Sequence, residues 1–222
     1  MSQRMKPSSV RGAEIFARRP VIPVLTLDEP NQAIELARAL MAGGLDVLEV
    51  TLRTSKALDA INAIIQEVPN VIVGAGTVLD AKQMQQAERA GAKFLVSPGQ
   101  SARLLAAADD CALPWLLGAA TASEVQTLRE RGHSILKFFP AELMGGVAIL
   151  KALQPVFPDV AFCPTGGIDA ARAREYLQLP NVIAVGGSWV TSTNLLGKDD
   201  FSAITQLATD AAKLSRKYMS VA

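Results

Sequence analysis

Eight short apolar runs recur along this chain at intervals of roughly 20–25 residues, and amphipathic segments lie between them. These intervening segments, such as NQAIELARALMAGG, carry apolar residues at positions i, i+3 and i+4 and end at glycine, a pattern that predicts helices. Strands that alternate with helices favour a parallel sheet built from βαβ units. The predicted strands are residues 20–26, 46–52, 71–77, 94–98, 114–119, 135–140, 160–167 and 182–187.

Eight strand–helix units in 222 residues predict an α/β fold of the (β/α)8 TIM barrel type. A short amphipathic segment before the first strand, AEIFARR, predicts an additional N-terminal helix. An open doubly wound sheet is the alternative fold, but no GxGxxG motif opens the first βα unit. Since no linker, low-complexity stretch or change in composition divides the chain, we expect residues 1–222 to form a single domain.

The charge balance argues against several classes of partner. Basic residues number 22 and acidic residues 21, so the net charge of +1 gives no reason to expect nucleic acid or an anionic membrane as a partner. No apolar run approaches the roughly 18–20 residues that span a bilayer. The N-terminal residues also lack the apolar centre of a secretory signal. We therefore expect a cytoplasmic protein.

A zinc site has no support in the sequence. The only histidine, His133, lies between a predicted helix and the next strand, where we expect it at the surface. One histidine cannot build a His₃ or HExxH site, and no CxxC motif is present. Cys111 and Cys163 lie far apart in apolar settings, so we expect two buried free thiols, and a disulfide between them is the alternative.

The barrel prediction directs attention to the C-terminal ends of the strands, where the active sites of such barrels are built. In the second strand, alternation puts Glu49 and Arg53 on one face, opposite a wholly apolar face that should pack against helices. Both side chains are therefore predicted to point into the barrel. A buried Glu49–Arg53 ion pair with no further role is the alternative. Other polar residues near strand ends are Thr26, Thr51, Thr77, Ser97, Lys137, Thr165 and Ser188.

Lys137 lies inside the predicted strand ILKFFP, among residues typical of a protein core. Lysine is rarely buried without a partner or a function, and this side chain could point into the barrel or extend outward between helices. Inside an apolar barrel, a lysine amine can attack a ketone and form a Schiff base, which accepts electrons when an adjacent carbon–carbon bond breaks. With Glu49 to move protons and Arg53 to hold a carboxylate, this set favours a Schiff-base lyase that acts on an α-keto acid.

Glycine pairs follow the seventh and eighth strands, in PTGGI (164–168) and GGS (186–188). Glycine lets the backbone approach a ligand closely and direct N–H groups at it. The loops after strands 7 and 8 form phosphate sites in many of these barrels, so the two pairs favour a phosphate site over ordinary tight turns. A third pair, in ELMGGV (142–147), follows the strand that contains the lysine.

Six motifs of the chain share one feature, which is that each lies at the C-terminal end of a predicted strand. They are EVTLRT (49–54), VGAGTV (73–78), SPG (97–99), KFFPAE (137–142), CPTGGI (163–168) and GGSW (186–189). In their order and spacing they resemble the 2-keto-3-deoxy-6-phosphogluconate (KDPG) aldolase family, which also includes 4-hydroxy-2-oxoglutarate aldolases. The resemblance implies a class I aldolase, a carbon–carbon lyase of the Entner–Doudoroff pathway that cleaves KDPG into pyruvate and glyceraldehyde 3-phosphate. It also implies a (β/α)8 barrel that uses no metal or other cofactor and that is usually a homotrimer.

The resemblance also implies a role for each matching residue. Lys137 corresponds to the Schiff-base lysine and Glu49 to the general acid and base. The remaining implied contacts are Arg53 and Thr77 for the carboxylate and substrate, Pro98 and Phe139 as apolar walls, and Thr165, Gly166, Gly167 and Ser188 around the phosphate.

Two segments depart from the family pattern. Met144 stands in the loop after the lysine, where many members carry a small or polar residue, and the fifth strand ends in LGAAT. Both bear on substrate range, so a related keto-deoxy sugar acid phosphate and 4-hydroxy-2-oxoglutarate are further candidate substrates. A phosphate-binding isomerase or epimerase with Glu49 as base, and a non-catalytic sugar-phosphate-binding barrel, are the alternatives to an aldolase.

Overall fold

Eight strands form the centre of the molecule in this computed structural model, which describes residues 7–191 and 193–218. Every one of the eight predicted intervals contains one of these strands. Their bounds are β1 Val21–Leu25, β2 Val47–Thr51, β3 Ile72–Gly76, β4 Leu95–Val96, β5 Trp115–Ala119, β6 Ile135–Phe138, β7 Ala161–Pro164 and β8 Val185–Gly187.

Helices connect the strands on the outside of the sheet. Helix α1 precedes β1, and a short 3-10 helix, Trp189–Thr191, follows β8. The α-helices are α1 Pro7–Phe16, α2 Pro30–Ala42, α3 Ala57–Glu67, α4 Ala81–Arg89, α5 Ala102–Asp110, α6 Ala122–Glu130, α7 Gly146–Leu153, α8 Ala170–Leu177, α9 Thr193–Leu196 and α10 Phe201–Ala212.

The sheet closes on itself. Neighbouring strands pair in parallel in the order β7-β6-β5-β4-β3-β2-β1-β8. Two parallel bridges, Phe162–Val182 and Thr165–Gly186, then join the β7 segment to the β8 segment. The prediction of a (β/α)8 barrel is therefore confirmed, and the alternative of an open doubly wound sheet is wrong. Within the described residues, no helix combines the length and the apolarity needed to cross a membrane.

Two apolar clusters fill the molecule, one between strands and helices and one inside the barrel. Leu48 and Val50 of β2 belong to the outer cluster, whereas Val47 belongs to the inner one, as the alternation of side chains along a strand requires. The N-terminal end of the barrel is closed by α1. Its last residue, Phe16, packs edge-to-face on Phe94 with 5.3 Å between the ring centroids.

An ion-pair group fixes the same N-terminal end. Asp46, directly before β2, accepts a hydrogen bond of 2.6 Å from Arg18 Nη2 and one of 2.9 Å from Arg19 Nε. Burial raises the pKa of the Asp46 carboxyl, but the hydrogen bonds and charges of Arg18 and Arg19 outweigh it and lower the pKa below its usual value. The carboxylate therefore ties the segment after α1 to the start of β2.

Several details differ from the sequence-based expectations, and the strands are in general shorter than their predicted intervals. His133 is buried, because the left-handed Gly132 (φ 84°) turns the chain back onto the barrel after α6. Cys163 is a buried free thiol as expected, but Cys111 is partly exposed. The seventh strand ends at Pro164 instead of residue 167, since the glycines that follow adopt φ angles that no strand contains. The expected domain boundaries, residues 1 and 222, lie outside the described residues.

Candidate active site

One pocket of about 280 Å³ opens at the C-terminal ends of the strands. The ten residues selected from the sequence all line it, although they come from six strands and the loops that follow them. They are Glu49, Arg53, Thr77, Pro98, Lys137, Phe139, Thr165, Gly166, Gly167 and Ser188.

The centre of the pocket is a buried pair of opposite charges. Lys137 Nζ donates a hydrogen bond of 3.2 Å to Glu49 Oε1, and the two side chains are only 6% and 3% exposed. The sheet order separates β2 from β6 by three strands, so the pair reaches across the barrel. Glycine at position 76 makes room for it, because a Cβ there would lie 2.2 Å from Glu49 Oε1. Lys137 therefore points inward, and the outward orientation is wrong.

An aromatic ring and a buried thiol lie beside the charged pair. Lys137 Nζ lies 5.4 Å from the centroid of the Phe139 ring. Cys163, the residue opposite Lys137 on β7, is wholly buried, and burial, followed by the charge of Glu49, raises the pKa of its thiol to about 12. A thiol with such a pKa stays protonated at neutral pH and is a poor nucleophile. The Cys163 thiol is therefore not a candidate nucleophile for this pocket.

Arg53 is held by hydroxyl groups. Its Nε donates to Thr51 Oγ1 at 3.1 Å and its Nη2 to Thr26 Oγ1 at 2.6 Å. Thr51 in turn donates to the carbonyl oxygen of Leu25 at 2.9 Å. Glu49 thus pairs with the lysine and Arg53 with threonines, which contradicts the alternative of a self-contained Glu49–Arg53 pair. Within the described residues, these bonds leave Nη1 and one Nη2 proton for a carboxylate.

Thr26 and Thr51 are further functional candidates, which appear in the sequence analysis only as polar residues near strand ends. The sequence contains a pattern that could identify them, because both residues fall on the inward-facing positions of adjacent strands. What the sequence lacked was the register, in which Val24 of β1 lies opposite Glu49 and Leu25 opposite Val50 of β2.

The glycine loops form the other side of the pocket. Gly166 (φ 108°) and Gly167 (φ 77°) adopt the left-handed conformation that favours glycine. At Gly186 the constraint is space, because a Cβ would lie 2.2 Å from Thr165 Oγ1. The loops after β7 and β8 therefore meet beside exposed Ser188, in the same pocket as Lys137.

Thr77 and Pro98 complete the wall formed by β3 and β4. Thr77 adopts φ 59°, an uncommon value for a residue with a branched Cβ. Strained backbone of this kind is concentrated at functional sites. Pro98 packs against the strand beside it, since a Cβ at Gly118 would lie 2.3 Å from the Pro98 carbonyl.

The two segments that depart from the family pattern lie apart from the pocket wall. Met144 is 37% exposed, and neither it nor the residues of the LGAAT segment belong to the fifteen residues that line the pocket.

A larger groove, of about 610 Å³, lies outside the barrel between α8 and α10 and contains Trp189. None of the ten selected residues lines that groove. Across the described part of the chain, no three histidine, cysteine or acidic side chains are grouped as metal ligands.

Comparison with known proteins identifies relatives over nearly the whole chain. Residues 13–207 match a family described as KDPG and KHG aldolase. The chain is 46% identical to 2-dehydro-3-deoxy-phosphogluconate aldolase of Pseudoalteromonas atlantica over 211 residues, which cover 95% of this chain and 97% of the relative.

Two solved structures have the same fold. KDPG aldolase of Legionella pneumophila, with pyruvate captured at low pH as a covalent carbinolamine intermediate, aligns with a TM-score of 0.88 at 44% identity. The alignment covers 90% of this chain and 98% of that one. The KDPG aldolase of Zymomonas mobilis ZM4 with 3-phosphoglycerate aligns with a TM-score of 0.88 at 46% identity, over 94% and 99% of the two chains.

Proposed function

Because this chain belongs to the KDPG and KHG aldolase family, we propose that Lys137 forms the Schiff base of its reaction and that Glu49 is the general acid and base. The chain is a carbon–carbon lyase that cleaves 2-dehydro-3-deoxy-6-phosphogluconate (KDPG) into pyruvate and glyceraldehyde 3-phosphate. The observation that supports the two roles is the buried contact of 3.2 Å between the Lys137 amine and the Glu49 carboxylate inside the pocket.

In the proposed reaction, the Lys137 amine adds to the C2 ketone of the substrate, and Glu49 gives a proton to the hydroxyl of the resulting carbinolamine, which leaves as water and yields a protonated imine. Glu49 then accepts the proton of the C4 hydroxyl, the C3–C4 bond breaks, and its electron pair moves into the imine to give an enamine. Glyceraldehyde 3-phosphate leaves with the new aldehyde group. Glu49 returns the proton to the enamine carbon, and hydrolysis of the imine releases pyruvate and restores the lysine.

The other pocket residues are proposed to bind the two ends of the substrate. Arg53 and Thr77 hold the carboxylate next to the reacting ketone, and a guanidinium suits this task because its donors match two carboxylate oxygens. Gly166, Gly167 and Ser188, with Thr165 beside them, hold the phosphate through backbone N–H groups and hydroxyls. Pro98 and Phe139 exclude water from the middle of the substrate. The phosphate loops favour KDPG, or a related keto-deoxy sugar acid phosphate, over unphosphorylated 4-hydroxy-2-oxoglutarate.

The family resemblance and the composition support five further proposals. Residues 1–222 form one barrel domain, the protein is a homotrimer, it acts in the cytoplasm, and its reaction needs neither a metal nor an organic cofactor. Its partners are small molecules, without nucleic acid or membrane. Light scattering measures the mass of the particle in solution, and activity after dialysis against a chelator tests the independence from metal.

Trapping with borohydride tests the covalent step. Pyruvate and sodium borohydride should attach a reduced pyruvyl group to Lys137, abolish aldolase activity, and leave no adduct on Lys137→Ala. Lys93→Ala is the matched control, because Lys93 is an exposed lysine before β4 and should not affect trapping. An adduct on another lysine, or none, would contradict the proposed role.

An isomerase or epimerase would release no pyruvate from KDPG, so a coupled pyruvate assay separates these enzymes from an aldolase.

A further inference from the structure

One carboxylate outside the pocket wall joins the loop after Lys137 to helix α8. Glu142 Oε1 accepts a hydrogen bond of 2.6 Å from the Tyr176 hydroxyl, and Glu142 Oε2 forms an ion pair with Arg172. Tyr176 and Arg172 both belong to α8, the helix that begins just after the Gly166–Gly167 turn. The Tyr176 ring is fully buried and the Glu142 side chain is 19% exposed, whereas Arg172 is 52% exposed, so water screens the ion pair more than the bond from Tyr176.

The backbone of the same loop runs against the glycine turn. Ala141 N donates to the carbonyl oxygen of Thr165 at 2.9 Å, and Glu142 N donates to that of Gly166 at 3.2 Å. The fit is close, because a Cβ at Gly167 would lie 2.9 Å from Glu142 Cγ. The Gly166–Gly167 turn is therefore fixed in two ways. The backbone of the loop after Lys137 bonds to it directly, and helix α8, which follows it, is bound by the Glu142 side chain.

We infer that Glu142 is a positioning residue for phosphate recognition, which fixes the Gly166–Gly167 turn where its N–H groups meet the substrate phosphate. This inference rests on the proposed assignment of the phosphate to these loops. Left-handed glycines allow many backbone conformations, so a turn made of two of them needs outside contacts to hold one arrangement. Glu142 provides such contacts through two charge-assisted bonds, which are stronger than neutral ones.

The charges around Glu142 suit this role. A lone carboxylate near a phosphate would repel it, but the Arg172 guanidinium balances the charge of Glu142. Burial raises the pKa of the Tyr176 hydroxyl, so the group stays protonated at neutral pH and donates to the carboxylate.

Two variants test the inference by comparing a phosphorylated substrate with an unphosphorylated one. Tyr176→Phe removes only the hydroxyl, and Glu142→Ala removes the whole contact. We expect each to raise the KM for KDPG about five- to tenfold, with a smaller change in kcat, because the phosphate site becomes less ordered. For 2-keto-3-deoxygluconate, which lacks the phosphate, kcat/KM should change by less than about twofold. Glu175→Gln removes one charge from the exposed face of the same helix and is the matched control.

An equal loss of kcat/KM with both substrates would mean that Glu142 supports the barrel in general, and it would overturn the inference. An unchanged KM for KDPG in Tyr176→Phe would overturn it as well, even if Glu142→Ala does not fold. Borohydride trapping with pyruvate alone needs no phosphate, so it should proceed in every variant. Its failure in the unaltered protein would refute the covalent mechanism, a result distinct from any change in phosphate discrimination.

Discussion

Arg53 is positioned by two threonine hydroxyls, one on β2 and one directly after β1, and this makes the proposed contact with a substrate carboxylate sensitive to a small change. Valine at position 51 keeps the shape of the side chain but removes the acceptor for Arg53 Nε and the bond to the Leu25 carbonyl. The guanidinium then samples more rotamers, and its ordering on binding costs more free energy. We expect Thr51→Val to raise the pyruvate concentration for half-maximal borohydride trapping about five- to tenfold.

Thr54→Val is the control for this prediction. The Thr54 hydroxyl also donates to a backbone carbonyl, that of Leu27, but it makes no bond to Arg53. Trapping by Thr54→Val should need the same pyruvate concentration as the unaltered protein. Equal effects of the two variants would show that the loss is structural and unrelated to Arg53.

The inward direction of single residues could be predicted from the sequence, but their pairing could not. Side chains alternate between the two faces of a strand, and this alternation predicts that Glu49 points into the barrel. The partner of Glu49 depends on how eight strands close into a barrel, and it is Lys137, 88 positions away in the chain. For the same reason, alternation alone left open a Glu49–Arg53 pair that the structure does not contain.

At the scale of elements, helix α6 begins with a capping box. Glu124 Oε2 accepts hydrogen bonds of 2.9 Å from the backbone N–H groups of Ala120 and Thr121 and from the Thr121 hydroxyl. Burial raises the pKa of the Glu124 carboxyl, but these hydrogen bonds outweigh it and lower the pKa below 4.5. We expect Glu124→Gln to lower the free energy of unfolding by about 0.5–1 kcal/mol at pH 7.

The contribution of Glu124 to stability should depend on pH. Because the pKa is lower in the folded state, the charged carboxylate contributes its stability above pH 4.5, and this contribution is lost as the pH falls through the folded pKa. Urea unfolding should therefore show the two proteins converging between pH 7 and pH 3. Thr127→Ala, at an exposed position of the same helix, removes no charge and is the control. A difference that does not depend on pH would contradict the role of the charge.

The sequence pattern predicts the positions of the strands more accurately than the residues at which they begin and end. Each predicted strand interval contains one strand, because apolar runs with helical segments between them have few other ways to bury their surface. The ends depend on local geometry that the pattern does not contain. Strand β4 has only two residues, Leu95–Val96, and β7 stops before the left-handed Gly166 and Gly167.

At the scale of the whole molecule, the two ends of the barrel have different tasks. The pocket with Lys137 opens at the C-terminal ends of the strands. The opposite end is closed by Phe16 and tied together by Asp46 with Arg18 and Arg19. In barrels of this class, the C-terminal face holds the chemistry and the N-terminal face contributes stability. Stability and activity should therefore be separable by substitution.

Asp46→Asn tests this separation. The amide keeps the size of the side chain but loses the charge that Arg18 and Arg19 contact, so we expect a loss of about 1–2 kcal/mol in the free energy of unfolding at pH 7. KM and kcat for KDPG should stay unchanged below the unfolding temperature. The control is Asp159→Asn, because its ion pair with Arg129 is exposed and should contribute much less to stability. A loss of activity in folded Asp46→Asn would mean that the two ends of the barrel are coupled.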